Sequence, residues 1–134
     1  MSYLVYIADD DLQLGRYLEK VATMCGWSAS HCRDGLELVT ALEMEKHPAL
    51  ALVDVQMPRM DGIEVISALL TFKHRLRLRF MSGGHIVDTL AAHMIANGRE
   101  MSVGATIHKP MRLEELMSIF EREKAELDKL EVAH

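Results

Sequence analysis

The chain has 134 residues, of which 49% are hydrophobic and 26% are charged, and its net charge is −5. This length suits one domain with a substantial core, and the composition is that of a globular protein rather than a disordered one. The negative charge argues against a surface built to bind nucleic acid, because such domains are usually basic.

Short apolar segments alternate with helical patterns five times along the chain. The predicted strands cover residues 3–8, 27–32 and 49–53, a segment that ends at 81, and 105–108. The predicted helices cover 12–25, 35–47, 62–72, 86–96 and 112–130. Continuous apolar strands are typical of parallel sheets covered on both faces. Five such units with short connections predict an α/β fold, a doubly wound five-stranded parallel sheet with helices on both sides.

Two stretches fit this pattern less simply. Residues 75–79 alternate arginine with leucine, which predicts a fourth strand that starts late or has one wet side. The basic run from Lys73 to Arg79 is interpreted as the solvated end of a helix, favoured by the helix dipole, rather than as a site for an acidic partner. At the start of the first helix, Asp11 is suited to act as the cap.

No apolar run approaches the roughly 20 residues that cross a bilayer, and the start of the chain does not resemble a secretory signal. Cys25 and Cys32 are too few for a disulfide framework or, by themselves, for a zinc site. We therefore expect a cytoplasmic protein that binds neither a membrane nor nucleic acid directly.

Polar side chains stand where four of the strands end. Asp9 and Asp10 follow the first strand and Asp54 the third, while Ser82 and Lys109 follow the fourth and fifth. Ligand sites of open α/β sheets form at these strand ends, so we expect the side chains to meet. Clustered carboxylates repel one another unless a cation neutralises them, and Mg²⁺ suits such oxygen ligands. The Asp54 carboxylate could then attack phosphorus, with Ser82 and Lys109 balancing charge on the transferred group.

These residues resemble the receiver domains of two-component signalling along nearly the whole chain. The stretch from Asp54 to Gly62, DVQMPRMDG, is similar to the family's phosphoacceptor loop, D-x-x-M-P-x-M-D-G. Three further family features are matched: the acidic pair by Asp9 and Asp10, the Ser/Thr by Ser82, and the Lys-Pro pair by Lys109 and Pro110.

The resemblance implies a flavodoxin-like receiver architecture with strand order 2-1-3-4-5, and Asp54 as the phosphoacceptor. The metal ligands that it implies for Mg²⁺ are Asp10, Asp54, the backbone carbonyl of Gln56 and, through water, Asp9. It also implies that Ser82 and Lys109 hold phosphoryl oxygens, and that the bond before Pro110 is cis.

Two features depart from the family pattern. Receivers usually carry Tyr or Phe three positions before the lysine, where this chain has Thr106. Thr106 is therefore the switch position, and a side chain this small predicts a different response of the output face. The stretch from Ser82 to Lys109 is also longer than usual, which resembles receivers joined to cyclic-di-GMP phosphodiesterase domains.

The function that the resemblance implies is a phosphorylation-activated switch with no catalysis beyond its own phosphorylation and dephosphorylation. Its expected partner is a sensor histidine kinase or a histidine phosphotransfer protein, and a homodimer through the fourth helix, fifth strand and fifth helix is left open. We expect a receiver domain over residues 1–122 and a helical extension or linker start over 123–134.

Three alternatives remain at this point. A haloacid-dehalogenase-type phosphatase or phosphotransferase also uses Mg²⁺ and an aspartate nucleophile, but it usually carries a second aspartate where this chain has Gln56. A flavodoxin-type flavin binder needs a Ser/Thr/Gly-rich phosphate loop where this chain has three aspartates. The chain could also be the receiver portion of a larger regulator, such as a cyclic-di-GMP phosphodiesterase.

Overall fold

A computed structural model describes residues 3–57, 62–84 and 86–133. Residues 58–61 of the predicted phosphoacceptor loop lie outside the described residues. The strands are β1 (Tyr3–Ala8), β2 (Trp27–Cys32), β3 (Ala49–Asp54), β4 (Leu76–Ser82), β5 (Ser102–Val103) and β6 (Ile107–His108). The helices are α1 (Leu12–Met24), α2 (Gly35–Glu43), α3 (Gly62–Leu69), α4 (Ile86–Gly98) and α5 (Leu113–Ala133), with a 3₁₀ helix (Leu70–Arg75) before β4.

All strand pairs are parallel, and the sheet order is β2-β1-β3-β4, with β5 and β6 both paired to β4. The two short segments together occupy the fifth position, so the predicted order 2-1-3-4-5 is confirmed. The sheet carries one apolar core on each side. Leu50 and Leu52 of β3 face α1 and α5, whereas Ala51 and Val53 face α2, α3 and α4.

The fifth position differs from the predicted strand over 105–108 because an extra residue divides it. Leu78 pairs with Val103 and Met81 with Ile107, so three steps along β4 match four steps along the facing chain, which is a β-bulge. Gly104 lies at this bulge and donates its N–H to the Leu78 carbonyl at 2.8 Å. A Cβ at position 104 would stand 2.6 Å from Nε of Arg79, so only glycine fits there without displacing that guanidinium.

The arginine-leucine alternation belongs to a strand that is covered on both sides. Leu76 and Leu78 are fully buried in one core, while Arg77 and Arg79 point to the opposite face and lie beneath α5. Both expectations for this stretch, a late start and a wet side, are wrong, as is the solvated interpretation of these two arginines. Alternation of this kind is typical of a half-exposed strand, but here α5, a helix distant in sequence, covers both arginines and supplies their charged partner.

That partner is Glu123 of α5, which is only 1% exposed. Its carboxylate accepts hydrogen bonds from Nε of Arg77 at 2.8 Å and from Nη2 of Arg77 at 3.2 Å. Nε of Arg79 lies 3.1 Å from the same carboxylate without hydrogen-bond alignment, and burial lowers the pKa of Arg79 despite the charge of Glu123. One buried anion thus serves two guanidinium groups.

Helix α5 continues without a break past residue 122, and it brings both Glu123 and Leu127 into the interior. The division at 122 therefore falls inside a helix whose next turns contribute to the core, and a separate extension over 123–134 stays a prediction. Among the described residues, no helix is both long and apolar enough to cross a membrane.

We expect Glu123→Ala to lower the free energy of unfolding by about 3 kcal/mol, because it removes the buried anion beside Arg79 and leaves Arg77 with Glu126 at 3.5 Å. Urea denaturation followed by far-UV circular dichroism measures this change. Glu121→Ala is the matched control, since the Glu121 side chain is 61% exposed and its ion pair with Lys124 lies at the surface; its effect should stay below about 0.5 kcal/mol. A Glu123→Ala protein as stable as this control would contradict the prediction.

Candidate functional site

Three carboxylates meet at the carboxyl edge of the sheet because β1 and β3 are neighbours. Asp9 follows β1 directly, and Asp54 ends β3, where Ala8 pairs with Val53. One carboxylate oxygen from each of Asp9, Asp10 and Asp54 lies within 4.8 Å of the others. Asp9 is 0% exposed and Asp54 is 6% exposed, whereas Asp10 is open to solvent.

Asp9 is held through both carboxylate oxygens. Its Oδ1 accepts the backbone N–H of Asp11 at 2.9 Å, and its Oδ2 accepts from Nζ of Lys109 at 2.7 Å. Asp11 in turn caps α1 by accepting the N–H groups of Gln13 and Leu14, as predicted. The turn between β1 and α1 therefore fixes the buried acid by a network that begins at the helix cap.

Asp54 shares the same ammonium group. Its Oδ2 accepts from Nζ of Lys109 at 3.1 Å, and its Oδ1 accepts the backbone N–H of Gln56 at 3.1 Å. Burial raises the pKa of Asp54, the negative charge of Asp9 raises it further, and Gln56 and Lys109 oppose them without cancelling the effect. Burial alone would lower the pKa of Lys109, but the two carboxylates outweigh it and raise that pKa.

Lys109 and Ser82 are placed by the pairing of β4 with β6. The backbone N–H of Lys109 donates to the Ser82 carbonyl at 2.8 Å, and the Lys109–Pro110 bond is cis, as the resemblance implied. Ser82 is buried, and its Oγ accepts the N–H of Gly84 at 3.3 Å. Because Ser82 lies one residue beyond the Asp54–Met81 pair, its hydroxyl stands at the same sheet edge as the acids.

The backbone and the side chain of Gln56 bind two different acidic residues. Its N–H binds Asp54, while its side-chain Nε2 donates to Oδ2 of Asp88 at 2.7 Å. Asp88 lies in the first turn of α4 and is the one charged residue of that helix, which is a signal that could have drawn attention to it. The loop that carries Gln56 is thereby tied directly to α4.

Thr106 is half-buried and faces α4. With four other residues it lines a cavity of about 210 Å³ between α4 and β6; those residues are Ile86, Thr89, Leu90 and His108. A small side chain thus stands beside a partly apolar cavity at the position where receivers usually have an aromatic ring.

The donor set suits a hard divalent cation. Within the described part of this edge, three carboxylates lie beside the Lys109 ammonium group, so that one positive charge opposes three negative ones. The raised pKa of Asp54 shows that Lys109 leaves part of the burial and repulsion uncompensated. Carboxylate oxygens are the ligands preferred by Mg²⁺ and Ca²⁺.

The chain belongs to the response regulator receiver domain family, whose family model matches residues 5–121. This match confirms the resemblance to the receivers of two-component signalling. The matched residues begin inside β1 and end inside α5.

Curated relatives extend well beyond this chain. The transcriptional regulatory protein TctD of Salmonella typhimurium (strain LT2) is 33% identical over 112 residues, which are 82% of this chain and 46% of TctD. The response regulator MprA of Mycobacterium tuberculosis (strain H37Rv) is 29% identical over 118 residues, which are 88% of this chain and 49% of MprA. The chain thus spans about half the length of these relatives.

Solved structures show the same fold at lower identity. A CheY-like receiver domain protein from Methanospirillum hungatei superposes with a TM-score of 0.80 at 22% identity, covering 94% of this chain and 97% of the other. A response regulator from Colwellia psychrerythraea gives a TM-score of 0.78 at 24% identity, covering 94% and 99%.

We expect Asp54→Asn to raise the melting temperature of the metal-free protein at neutral pH. The pKa of Asp54 is raised in the folded state, so the folded protein binds the carboxyl proton more tightly than the unfolded chain does. Stability is therefore lost as the pH rises from the ordinary pKa of an aspartate through the raised pKa of Asp54. Replacing the acid by a neutral amide removes that loss.

Thermal unfolding in a chelating buffer at neutral and acid pH measures the effect, and the advantage of Asp54→Asn should shrink as the pH falls and Asp54 takes up its proton. The matched control is Asp128→Asn, an exposed carboxylate bonded to Tyr3. An Asp54→Asn protein that melts below the wild type at neutral pH would contradict the prediction.

Proposed function

We propose that the chain is a phosphorylation-controlled switch in which Asp54 accepts a phosphoryl group from the phosphohistidine of a sensor kinase or a histidine phosphotransfer protein. One observation carries the proposal: Asp54 ends β3 within 3.1 Å of the Lys109 ammonium group and beside the acids Asp9 and Asp10. Such a site combines a nucleophilic carboxylate, a fixed positive charge and a donor set for Mg²⁺.

Burial supports Asp54 as the nucleophile among the three acids. Asp9 has no exposed surface, and its two oxygens are occupied by the N–H of Asp11 and by Lys109. Asp10 is exposed, whereas the Lys109 ammonium group contacts Asp9 and Asp54. Asp54 alone of the three combines access with contact to the ammonium group.

The chemistry would be an in-line phosphoryl transfer. An Asp54 carboxylate oxygen forms a bond to phosphorus while the phosphorus–nitrogen bond of the donor breaks, and the leaving imidazole nitrogen keeps the electron pair. Lys109 lies within reach of the new phosphoryl oxygens, and the Ser82 hydroxyl would donate to another. When bound between Asp10, Asp54 and the Gln56 carbonyl, Mg²⁺ would balance charge on the transferred group.

The signal would leave the site through α4. The Gln56–Asp88 hydrogen bond joins the loop after β3 to this helix, and a phosphoryl group on Asp54 changes the charge on the Gln56 side of that contact. Helix α4 exposes a row of apolar side chains, Ile86, Val87, Leu90 and Met94. Exposed apolar patches mark interaction surfaces, so we assign this face, with the fifth strand position and α5, to output or self-association.

The geometry favours a switch over a phosphatase. The side chain two positions after Asp54 is the amide of Gln56, which cannot act as a general acid and is bonded to Asp88. TctD is named as a transcriptional regulatory protein, and in a longer protein of that kind this chain would be the part that receives the signal. We place it in the cytoplasm, where its phosphodonor would act, and include its own slow dephosphorylation in the proposal.

We expect Asp54→Asn to reduce phosphoryl uptake at least about a hundredfold, because an amide cannot replace the carboxylate nucleophile. Intact-mass spectrometry after incubation with acetyl phosphate and Mg²⁺ measures uptake. Asp128→Asn, which removes an exposed carboxylate bonded to Tyr3 at the start of β1, should take up phosphate like the wild type, and a chelator should suppress uptake in both. Persistent uptake by Asp54→Asn would refute the assignment.

We expect Leu90→Glu to prevent self-association of the phosphorylated chain without reducing its phosphorylation, because a charge on the α4 face disfavours burial against a second copy. Sedimentation velocity with and without acetyl phosphate measures association. Leu90 is 56% exposed, and Met44→Glu provides a control at an apolar residue outside α4 that is 83% exposed. A phosphorylated wild-type chain that stays monomeric would exclude the dimer while leaving phosphorylation untouched.

A further inference from the structure

The imidazole of His31 contacts the acidic site from the end of β2. Its Nε2 lies 2.7 Å from the backbone carbonyl oxygen of Asp9, and the ring is half-buried. A carbonyl oxygen can only accept a hydrogen bond, so this contact requires the proton to be on Nε2. His31 is therefore a donor to the main chain of a buried acidic residue.

A notch in α1 makes room for this ring. Gly15 stands in the interior of α1 and is buried. A Cβ built at Gly15 would overlap the His31 ring atoms Cε1, Nε2 and Nδ1. Glycine weakens a helix interior relative to alanine, so α1 carries an unfavourable residue at the point where the imidazole sits.

The hydrogen bond fixes the peptide that joins the two acids. Pairing between β1 and β2 ends at Ala8 and Cys32, and the Asp9 N–H still donates to the Cys32 carbonyl at 3.0 Å. The backbone carbonyl of Asp9 accepts instead from the His31 side chain. Because the peptide unit is planar, holding the Asp9 carbonyl also holds the direction in which the chain leaves towards Asp10. The Cα atoms of Asp9 and Asp10, which carry the two carboxylate side chains, are the two ends of that planar unit.

We propose that His31, seated against Gly15, is a positioning residue for the metal site: it orients the Asp9–Asp10 peptide so that these carboxylates converge with Asp54. This inference rests on the proposed function, since it assumes that the three carboxylates bind Mg²⁺. Groups that orient metal ligands commonly carry ten- to a hundredfold of metal affinity.

The first test is a Mg²⁺ titration of the full chain, followed by the amide NMR shifts of Asp10 and Asp54. His31→Ala should weaken Mg²⁺ binding about tenfold, whereas His31→Gln, which keeps an N–H donor, should restore most of the affinity. His47→Ala is the matched control because His47 is an exposed histidine paired with Glu45. In metal-free wild type, the imidazole nitrogen shifts of His31 should report the tautomer with the proton on Nε2.

The second test uses the notch itself. In the wild-type background, Gly15→Ala should expel the ring, lower the melting temperature and weaken Mg²⁺ binding as His31→Ala does. In the His31→Ala background, the same substitution should raise the melting temperature by roughly 4 °C, because the three ring atoms nearest to the methyl group are gone and alanine favours the helix. It should then cause no further loss of Mg²⁺ affinity. Gly98→Ala is the control, since nothing lies within 4 Å of a Cβ there.

The outcomes separate the inference from the function on which it rests. A wild-type chain that binds no Mg²⁺ overturns the proposed function. A wild-type chain that binds Mg²⁺ while His31→Ala binds it equally well overturns only the role of His31. Equal losses of Mg²⁺ affinity in His31→Ala and His31→Gln show that the N–H donor of His31 is not the cause. The same follows if the losses of Mg²⁺ affinity from Gly15→Ala and His31→Ala add in the double variant. Because Gly15→Ala perturbs the ring without removing it, the test stands even if His31→Ala folds poorly.

Discussion

The Lys109 ammonium group, which lies between Asp9 and Asp54, is the interaction on which the site depends. Two like charges within 4.8 Å of one another repel by roughly 3 kcal/mol at the effective dielectric constant typical near protein surfaces. One positive charge shared between both carboxylates offsets this repulsion. The backbone hydrogen bond from Lys109 to the Ser82 carbonyl holds Lys109 at the sheet edge. The third acid leaves a net negative charge among these four groups, which suits them to a divalent cation.

The sheet order could be predicted because its determinants are local, whereas the missed features depend on remote partners. Continuous apolar runs such as residues 49–53 identify buried parallel strands by themselves. The alternation of Arg77 and Arg79 has no such local meaning, since its partner Glu123 is 46 residues away from Arg77 in sequence. Gly104 within residues 102–108 is a local signal for a bulge, but the Arg77 and Arg79 side chains that lie against it come from a neighbouring strand and leave no trace in that segment.

The same distinction applies to the candidate site. Asp9, Asp10 and Asp54 stand out because each follows or ends an apolar strand. His31 and Asp88 do not, because they act on residues 22 and 32 positions away and because one of them binds a backbone carbonyl. Gly15 could only be understood once the ring that occupies its missing side chain was located. Sequence thus indicates the candidate site carboxylates, while the residues that contact them from other elements emerge from packing.

The divided fifth position also restricts how copies of this domain can associate. A continuous strand at the edge of a sheet exposes a row of unpaired N–H and C=O groups that can template another strand. Here that margin consists of two dipeptides separated by a bulge, so it offers no uninterrupted ladder for a neighbouring chain to extend. Intermolecular β-sheet growth, the usual route to fibrous aggregates, is therefore discouraged at this margin, whereas association through side chains is not.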